Sequence, residues 1–369
     1  MTVVDPRITK LAGVLVHYSL KIRPGDLFRI GGPALAAPLI AEVYREALAA
    51  GAHPFVRVNV EGLDEIYLKT ASEDQLRYVS ELQRLETERI TASLGIWGEW
   101  NTRELSGVDP RRIALRREAT RQLQQRFLAR AAANELRWCG TQYPTHAEAQ
   151  EAEMSLAEYE DFVFRAGMLD RDDPVAAWEA VRAEQDRIIQ VLARCRRLHI
   201  TGPEIDLQLS VEGRRWINAA GESNFPDGEV FTGPVEDSVS GRVRFTFPAI
   251  YNGREVHDVE LVFEQGRVVR ARAAKGEDFL LAMLDTDAGA RYVGEFAFGT
   301  NYQIQRFTRN LLFDEKIGGT LHLALGAGYP ETGSQNTSGL HWDMICDLRR
   351  GSRVEADGAE IYRDGRFLI

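Results

Sequence analysis

The sequence predicts two domains in series, a layered α/β N-terminal domain built of βαβ units and an α+β, mainly β, C-terminal domain. Its 369 residues exceed the size at which a single hydrophobic core usually stops growing. The first half alternates strand-like and helix-like segments, whereas the second half consists of short alternating segments separated by glycine turns. We therefore expect one domain over residues 1–197 and another over residues 198–369.

The N-terminal domain opens with a predicted βαβ unit. Leu27–Ile30 is expected to form a strand, Leu35–Ala50 a helix and Phe55–Val60 the returning strand. Gly31 and Gly32 follow the first strand, and we interpret them as a tight turn because no full dinucleotide-binding fingerprint follows them. Further strands are expected at residues 89–95 and 136–142.

Two long helices are expected in the remainder of this half. Arginines from Arg111 to Arg137 are interleaved with apolar residues, which is typical of an amphipathic helix with a charged outer face. The second helix is predicted over Pro174–Arg194. Because the chain has a net charge of -10 at pH 7, nucleic acid is not expected as a partner.

Hairpin signals predict the β structure of the C-terminal half. Asn252-Gly253 and Gln265-Gly266 each separate two short alternating segments, and both pairs favour two-residue β-turns. Frequent glycine in the same region supports a mainly β domain.

Two further predicted strands, Thr320–Leu325 and Ser338–Ile345, carry candidate metal ligands. Because side chains alternate along a strand, His322 faces away from three leucines in the first segment. In the second segment, His341 and Asp343 share one face and apolar side chains occupy the other. An imidazole and a carboxylate therefore point the same way.

Three carboxylates could complete a site with these two histidines. Glu229, Glu295 and Glu315 are each flanked by glycine and apolar residues, so each is expected to project from a sheet edge or a tight turn into a partly dry place. A buried carboxylate is costly unless a cation or hydrogen bonds compensate it. The number of donors exceeds what one ion needs and suits a pair of hydrolytic metals a few Å apart.

Several short motifs carry a family resemblance. In the second half they are Asn224–Thr232, Gly294–Ala297, Asp314–His322, Tyr329–Gly333 and His341–Asp343, and in the first half Tyr143–Thr145 and Met154–Phe162. Together they closely resemble the thermophilic-type metallo-aminopeptidases of peptidase family M29. The resemblance runs the length of the chain.

The resemblance implies a ligand set. Carried over residue by residue, it makes Glu229, Glu295, His322, His341 and Asp343 the metal ligands, with Glu295 as the bridge between two divalent ions. Zinc, cobalt, manganese and magnesium are the candidate ions.

Two further residues receive catalytic roles from the resemblance. The Tyr329 phenol would hydrogen-bond to the tetrahedral intermediate or touch a metal, and either contact stabilises negative charge on the substrate carbonyl oxygen. Glu315 is assigned as the general base that accepts a proton from the attacking water. A ligand role for Glu315, or one in orienting His322, remains open.

The function implied is metal-dependent removal of the N-terminal residue from peptides with a free N-terminus, by a homodimer. Two alternatives remain. A phosphoesterase could use the same ligands, but only Lys316 in the motif run is available to clamp a phosphate. A non-catalytic metal-binding scaffold would be expected to have lost a ligand, and no ligand position is changed.

Location and redox state follow from composition. No apolar stretch reaches membrane-spanning length, and Met1–Pro6 has neither the basic start nor the apolar core of a signal peptide, so a cytoplasmic protein without a membrane partner is expected. Cys139, Cys195 and Cys346 lack paired spacing and are predicted to be free thiols.

Overall fold

The computed structural model describes residues 5–369, so part of the segment on which the signal-peptide prediction rests lies outside the described residues. The contacts divide the chain into two compact units. The first contains the residues up to Val175 together with Gly221–Phe225, and the second contains Ala176–Ala220 and Pro226–Ile369. This division differs from the boundary expected at residue 197.

The first unit is an α/β structure with a parallel sheet. Its strands are β1 Leu27–Pro33, β2 His53–Asn59, β3 Ala92–Trp97, β4 Arg137–Gln142 and β8 Asn224–Phe225. They pair in parallel in the order β2-β1-β3-β4-β8. Its α-helices are α1 Pro6–Gly13, α2 Ala37–Ala49, α3 Leu63–Thr70, α4 Glu73–Arg77, α5 Glu81–Arg89, α6 Pro110–Ala132, α7 His146–Glu151 and α8 Leu156–Ala166. A π-helix covers Val14–Ser19, and 3₁₀ turns cover Ala34–Ala36 and Glu104–Gly107.

The predicted βαβ unit is confirmed by the parallel pairing of β1 with β2. The turn predicted at Gly31 and Gly32 is wrong, because β1 continues through both glycines. A Cβ on Gly32 would lie 2.9 Å from Cβ of Ile96 on β3, so this glycine permits close approach of two strands. The strand expected from residue 89 begins at Ala92, since Arg89 is the last residue of α5.

The second unit is mainly antiparallel β structure. Its helices are α9 Pro174–Leu192, which begins just before the unit boundary, α10 Glu277–Leu284 and α11 Leu311–Asp314, with a 3₁₀ turn at Pro330–Thr332. Its strands are β5 Arg197–Gly202, β6 Ile205–Ser210, β7 Ile217–Ala219, β9 Glu229–Thr232, β10 Ser240–Arg244, β11 Ala249–Tyr251, β12 Arg254–Val256, β13 Glu260–Glu264, β14 Arg267–Arg272, β15 Val293–Gly299, β16 Thr320–Gly326, β17 His341–Asp347, β18 Arg353–Ala356, β19 Ala359–Arg363 and β20 Arg366–Phe367.

These strands form an eight-stranded sheet in the order β14-β13-β10-β6-β5-β18-β19-β20, a five-stranded sheet in the order β17-β16-β15-β9-β7, and the hairpin β11-β12. Both predicted hairpin turns are confirmed. Asn252 and Gly253 have φ of 49° and 72°, and Gln265 and Gly266 have φ of 48° and 79°, as a type I′ turn requires.

The apolar core of the second unit lies against one face of its five-stranded sheet. The side chains on that face are buried and include Phe296, Phe298, Leu321, Leu323, Leu325, Trp342 and Met344. The alternation predicted for β16 and β17 is therefore confirmed, and the polar residues of these strands occupy the other face. The cysteines are free thiols, as predicted. Within residues 5–369, no helix is both long and apolar enough to span a membrane.

Candidate metal centre

All five predicted ligands lie together on the face of the five-stranded sheet opposite its core. Glu229 is the first residue of β9, Glu295 lies in β15, His322 in β16, and His341 and Asp343 in β17. Residues directly opposite each other in an antiparallel pair project to the same side of the sheet. Strand pairing therefore brings together donors that are far apart in sequence.

Small residues separate the donors on this face. Ala324 stands between Glu295 on one side and Asp343 on the other, and Ala297 pairs with His322. Gly299 pairs with Glu229. At these three positions only a methyl group or a hydrogen stands beside a donor, which leaves room for ions.

A β-bulge directs Glu295 into the site. Val293 pairs with Leu325, yet Glu295 pairs with Ala324, so Gly294 is an extra residue in β15. In a regular strand, Val293 and Glu295 are two residues apart and would share one face. With the bulge, Val293 faces the core while the carboxylate faces the donors.

The expectation that every carboxylate projects from a sheet edge or a turn is wrong for Glu295. This residue lies in β15, the central strand of the sheet. The expectation is correct for Glu315, which ends α11 at the turn leading into β16. Sheet order is a non-local property, so the local sequence around Glu295 does not reveal the position of its strand.

The donor atoms are spaced as metal ligands are. His322 Nε2 lies 3.5 Å from Glu229 Oε2 and 3.6 Å from Glu295 Oε1. His341 Nε2 lies 3.5 Å from Glu295 Oε2 and 3.4 Å from Asp343 Oδ2. Ligands about 2.1 Å from a tetrahedral ion are themselves separated by about 3.4 Å. Each oxygen of Glu295 faces a different histidine, so this carboxylate belongs to two donor groups.

Within the described residues, three donor groups have ligand atoms within 4.8 Å of one another: Glu229, Glu295 and His322; Glu295, His341 and Asp343; Glu315, His322 and Asp343. The first two share Glu295. The third contains Glu315, whose role the sequence left open.

Backbone contacts fix which imidazole nitrogen faces the site. His322 Nδ1 is 3.1 Å from the Glu315 carbonyl oxygen, and His341 Nδ1 is 2.8 Å from the Ala327 carbonyl oxygen. A carbonyl only accepts hydrogen bonds, so Nδ1 donates in both residues and the lone pair of Nε2 remains for a ligand. This is the usual arrangement of metal-binding histidine.

The buried carboxylates are short of hydrogen-bond partners. Glu229, Glu295 and Asp343 are all buried, and neither Glu229 Oε2 nor Asp343 Oδ1 has a hydrogen-bond partner among residues 5–369. Burial raises the pKa of Glu229 to about 8, although the nearby Lys316 ammonium opposes the shift. Burial also raises the pKa of Glu295. A divalent ion would supply the missing partner and the missing positive charge.

The histidines respond to the same negative charge. Burial lowers the pKa of His322, but interaction with Glu295 and the charge of Glu229 outweigh it and raise the pKa to about 9. Burial also lowers the pKa of His341, but its contact with Asp343 and the charges of Asp343 and Glu295 raise that pKa to about 10. The donor set therefore demands positive charge, and protons and a metal compete to provide it.

Tyr329 stands beside the donors. Its ring centroid is 5.5 Å from that of His341 and 5.4 Å from that of Phe231. Desolvation of the phenol and the charges of Glu295 and Asp343 raise the pKa of Tyr329 well above its usual value, so the hydroxyl keeps its proton. It can therefore donate a hydrogen bond to an anionic oxygen near the carboxylates.

Lys316 belongs to the site, and the sequence interpretation treated it only as a clamp for phosphate. The residue is completely buried, and its Nζ lies 3.2 Å from Glu229 Oε1 and in contact with Glu315 Oε1. Its position between two acids and a glycine pair, with apolar neighbours, could have suggested an internal ion pair.

Comparisons with known proteins agree with the motif resemblance. The family described as thermophilic metalloprotease (M29) matches residues 4–367. Aminopeptidase 2 of Geobacillus stearothermophilus is 31% identical over 374 residues, covering 94% of this chain and 89% of that protein. Aminopeptidase T of Thermus thermophilus is 28% identical over a match that covers 97% of this chain and 95% of that protein. The structure of wild-type AmpT from Thermus thermophilus matches with a TM-score of 0.86 at 26% identity, covering 98% of this chain and 99% of that one.

Proposed function

Since the chain belongs to the M29 family of thermophilic metalloproteases, we propose that it is an aminopeptidase that uses two divalent metal ions to remove the N-terminal residue of peptides. The observation that carries this proposal is the pair of donor groups that share Glu295 on one sheet face. The relatives are named aminopeptidases, and the match covers most of their length. Their names support a peptide substrate.

In this proposal Glu229, Glu295 and His322 would hold one ion, and Glu295, His341 and Asp343 would hold the other. Glu295 belongs to both groups and would join them. Zinc, cobalt, manganese and magnesium all accept such a mixed set of imidazole and carboxylate ligands. Support comes from the ligand-like spacing, the buried oxygens without partners and the Nδ1 anchors described above.

The bound ions would supply hydroxide near neutral pH and polarise the scissile carbonyl. Around them, the protein handles protons and charge. Glu315, beside His322, is positioned to accept a proton from the attacking water and to deliver it to the leaving amine. The Tyr329 hydroxyl donates a hydrogen bond to the oxygen that becomes negative in the tetrahedral intermediate.

Specificity for the chain end would follow from the metal centre. A free α-amine has a lone pair that a metal ion accepts, whereas an acylated N-terminus lacks a basic lone pair and adds bulk. We therefore propose that the substrate is a peptide with a free N-terminus. We also propose a homodimer on the strength of the family resemblance, and light scattering at micromolar concentration tests it.

The phosphoesterase alternative is weakened by the environment of Lys316. This lysine is the cation in the motif run that could clamp a phosphate, and its ammonium is already engaged by Glu229 and Glu315. A non-catalytic metal-binding scaffold would not need the proposed base or the phenol, and both Glu315 and Tyr329 are present beside the donors.

Hydrolysis of a leucyl chromogenic substrate tests the proposal. Protein stripped with a chelator should be inactive, and activity should return on addition of zinc, cobalt, manganese or magnesium. An N-acetylated leucyl substrate and a phosphate ester serve as controls and should not react. Metal binding without turnover on a broad panel of aminoacyl substrates would refute the aminopeptidase assignment.

A further inference from the structure

Lys316 is a lysine without access to solvent. Its relative exposure is 0%, whereas lysine is among the residue types least often fully buried. The backbone fixes its position, because Lys316 N donates to the Phe313 carbonyl and the Lys316 carbonyl accepts from Asn301 N, both at 3.1 Å. The side chain is therefore directed inward by its place after α11.

The ammonium lies among three carboxylates. It is 3.2 Å from Glu229 Oε1, in contact with Glu315 Oε1 and 4.0 Å from Asp227 Oδ1. A single positive charge leaves this group with an excess of negative charge. Lys316 consequently does not replace the ions that the donor set requires.

The two oxygens of Glu229 have different surroundings. Oε1 faces the Lys316 ammonium, while Oε2 has no hydrogen-bond partner in the described part of the chain and faces His322 Nε2 at 3.5 Å. Contact with Lys316 thus fixes the rotation of the carboxylate so that its free oxygen points toward the other donors.

Glu315 is held in a comparable way. Its carboxylate has oxygens within reach of His322 and Asp343, in a third potential donor group, yet one of them contacts Lys316. The Lys316 ammonium therefore joins the carboxylates of Glu229 and Glu315.

We propose that Lys316 is a positioning residue of the metal centre: it orients Glu229 so that Oε2 faces the ion shared with Glu295 and His322. This inference rests on the metal centre of the proposed function and adds a role that is separate from catalysis.

The sign of one measurement separates positioning from simple charge. If Lys316 acted only through its charge, removal of a cation beside the site would strengthen the binding of a divalent ion. If it positions Glu229, removal weakens binding, and loss of such a supporting contact typically lowers metal affinity about 10- to 100-fold.

The test is calorimetric titration of chelator-stripped protein with Zn²⁺ and with Mn²⁺. Lys316→Met keeps the length of the side chain but removes the donor, and we expect Kd to rise at least about tenfold. Lys316→Gln keeps an N–H donor without the charge and should lie between the wild type and Lys316→Met. Lys275→Met is the matched control, because Lys275 is exposed in the same unit, and it should bind metal as the wild type does.

Unchanged or tighter metal binding in folded Lys316→Met would overturn the proposal. Circular dichroism tests whether Lys316→Met is folded. If it is not, the Kd of Lys316→Gln for the metal decides, and a Kd equal to or below that of the wild type would overturn the proposal. The outcome is independent of turnover. A wild type that binds metal but hydrolyses no aminoacyl substrate would refute the aminopeptidase while leaving this comparison intact.

Discussion

A buried carboxyl group in the first unit gives a stability prediction that depends on pH. Glu148, in α7, is only 9% exposed and accepts a hydrogen bond of 2.6 Å from Gln142 Nε2. Burial, opposed by that hydrogen bond and reinforced by the charge of Glu99, raises the pKa of Glu148 from 4.5 to about 7.

The sign follows from proton linkage. Because the folded pKa lies above the unfolded one, the folded state binds the proton more tightly, and stability falls as pH rises from 4.5 through 7. At 1.36 kcal/mol per pKa unit, the loss above pH 7 amounts to about 3 kcal/mol. Below pH 4.5 the loss is absent.

Glu148→Gln removes the ionisation while keeping a polar side chain of the same size. In urea unfolding followed by circular dichroism, the stability of this variant relative to the wild type should rise by about 3 kcal/mol between pH 4.5 and pH 8.5. Glu61→Gln, an exposed position in the same unit, is the control and should show no such change. A difference between Glu148→Gln and the wild type that is independent of pH would refute the reasoning.

Three further predictions concern the metal centre. Glu295→Gln should reduce the number of bound ions measured by elemental analysis and lower activity more than about 100-fold with the fold retained, whereas exposed Glu331→Gln should change neither. Full activity in Glu295→Gln would contradict the proposed bridge. Tyr329→Phe should lower kcat about 100- to 1000-fold and leave calorimetric metal affinity unchanged, and an unchanged kcat would remove the phenol from the mechanism. Gly294→Ala would place a Cβ 2.3 Å from the carbonyl oxygens of Gly326 and Ala327, so it should cost about 1–3 kcal/mol in thermal unfolding and weaken metal binding; a wild-type profile would count against the bulge argument.

Local patterns predicted those parts of the fold that local physics determines. Asn252-Gly253 specified a hairpin because both residues accept positive φ. Alternation in β16 and β17 placed the core leucines and the histidines on opposite faces, because side chains on a strand have a period of two. The α/β architecture followed by a mainly β part was predicted correctly.

Other features depend on contacts that a local reading does not contain. Position 32 lies in a strand and requires glycine because Ile96, from another strand, approaches it closely. The same holds for the ion pair of Lys316 and for the central place of Glu295, since both result from which strands become neighbours. The structure brings the predicted ligands together, and their roles as ligands stay a prediction that the experiments above test.

The dispersion of the donors over the chain has a consequence for biogenesis. Glu229 and Asp343 belong to strands at different positions in the sheet, and β15 and β16 must pair between them before the donors meet. No short stretch of a nascent chain can assemble either full donor group, in contrast to small zinc modules whose closely spaced ligands fold around the ion. We expect the polypeptide to fold first and to acquire its ions afterwards, so that metal supply in the cell controls how much of the folded protein is active.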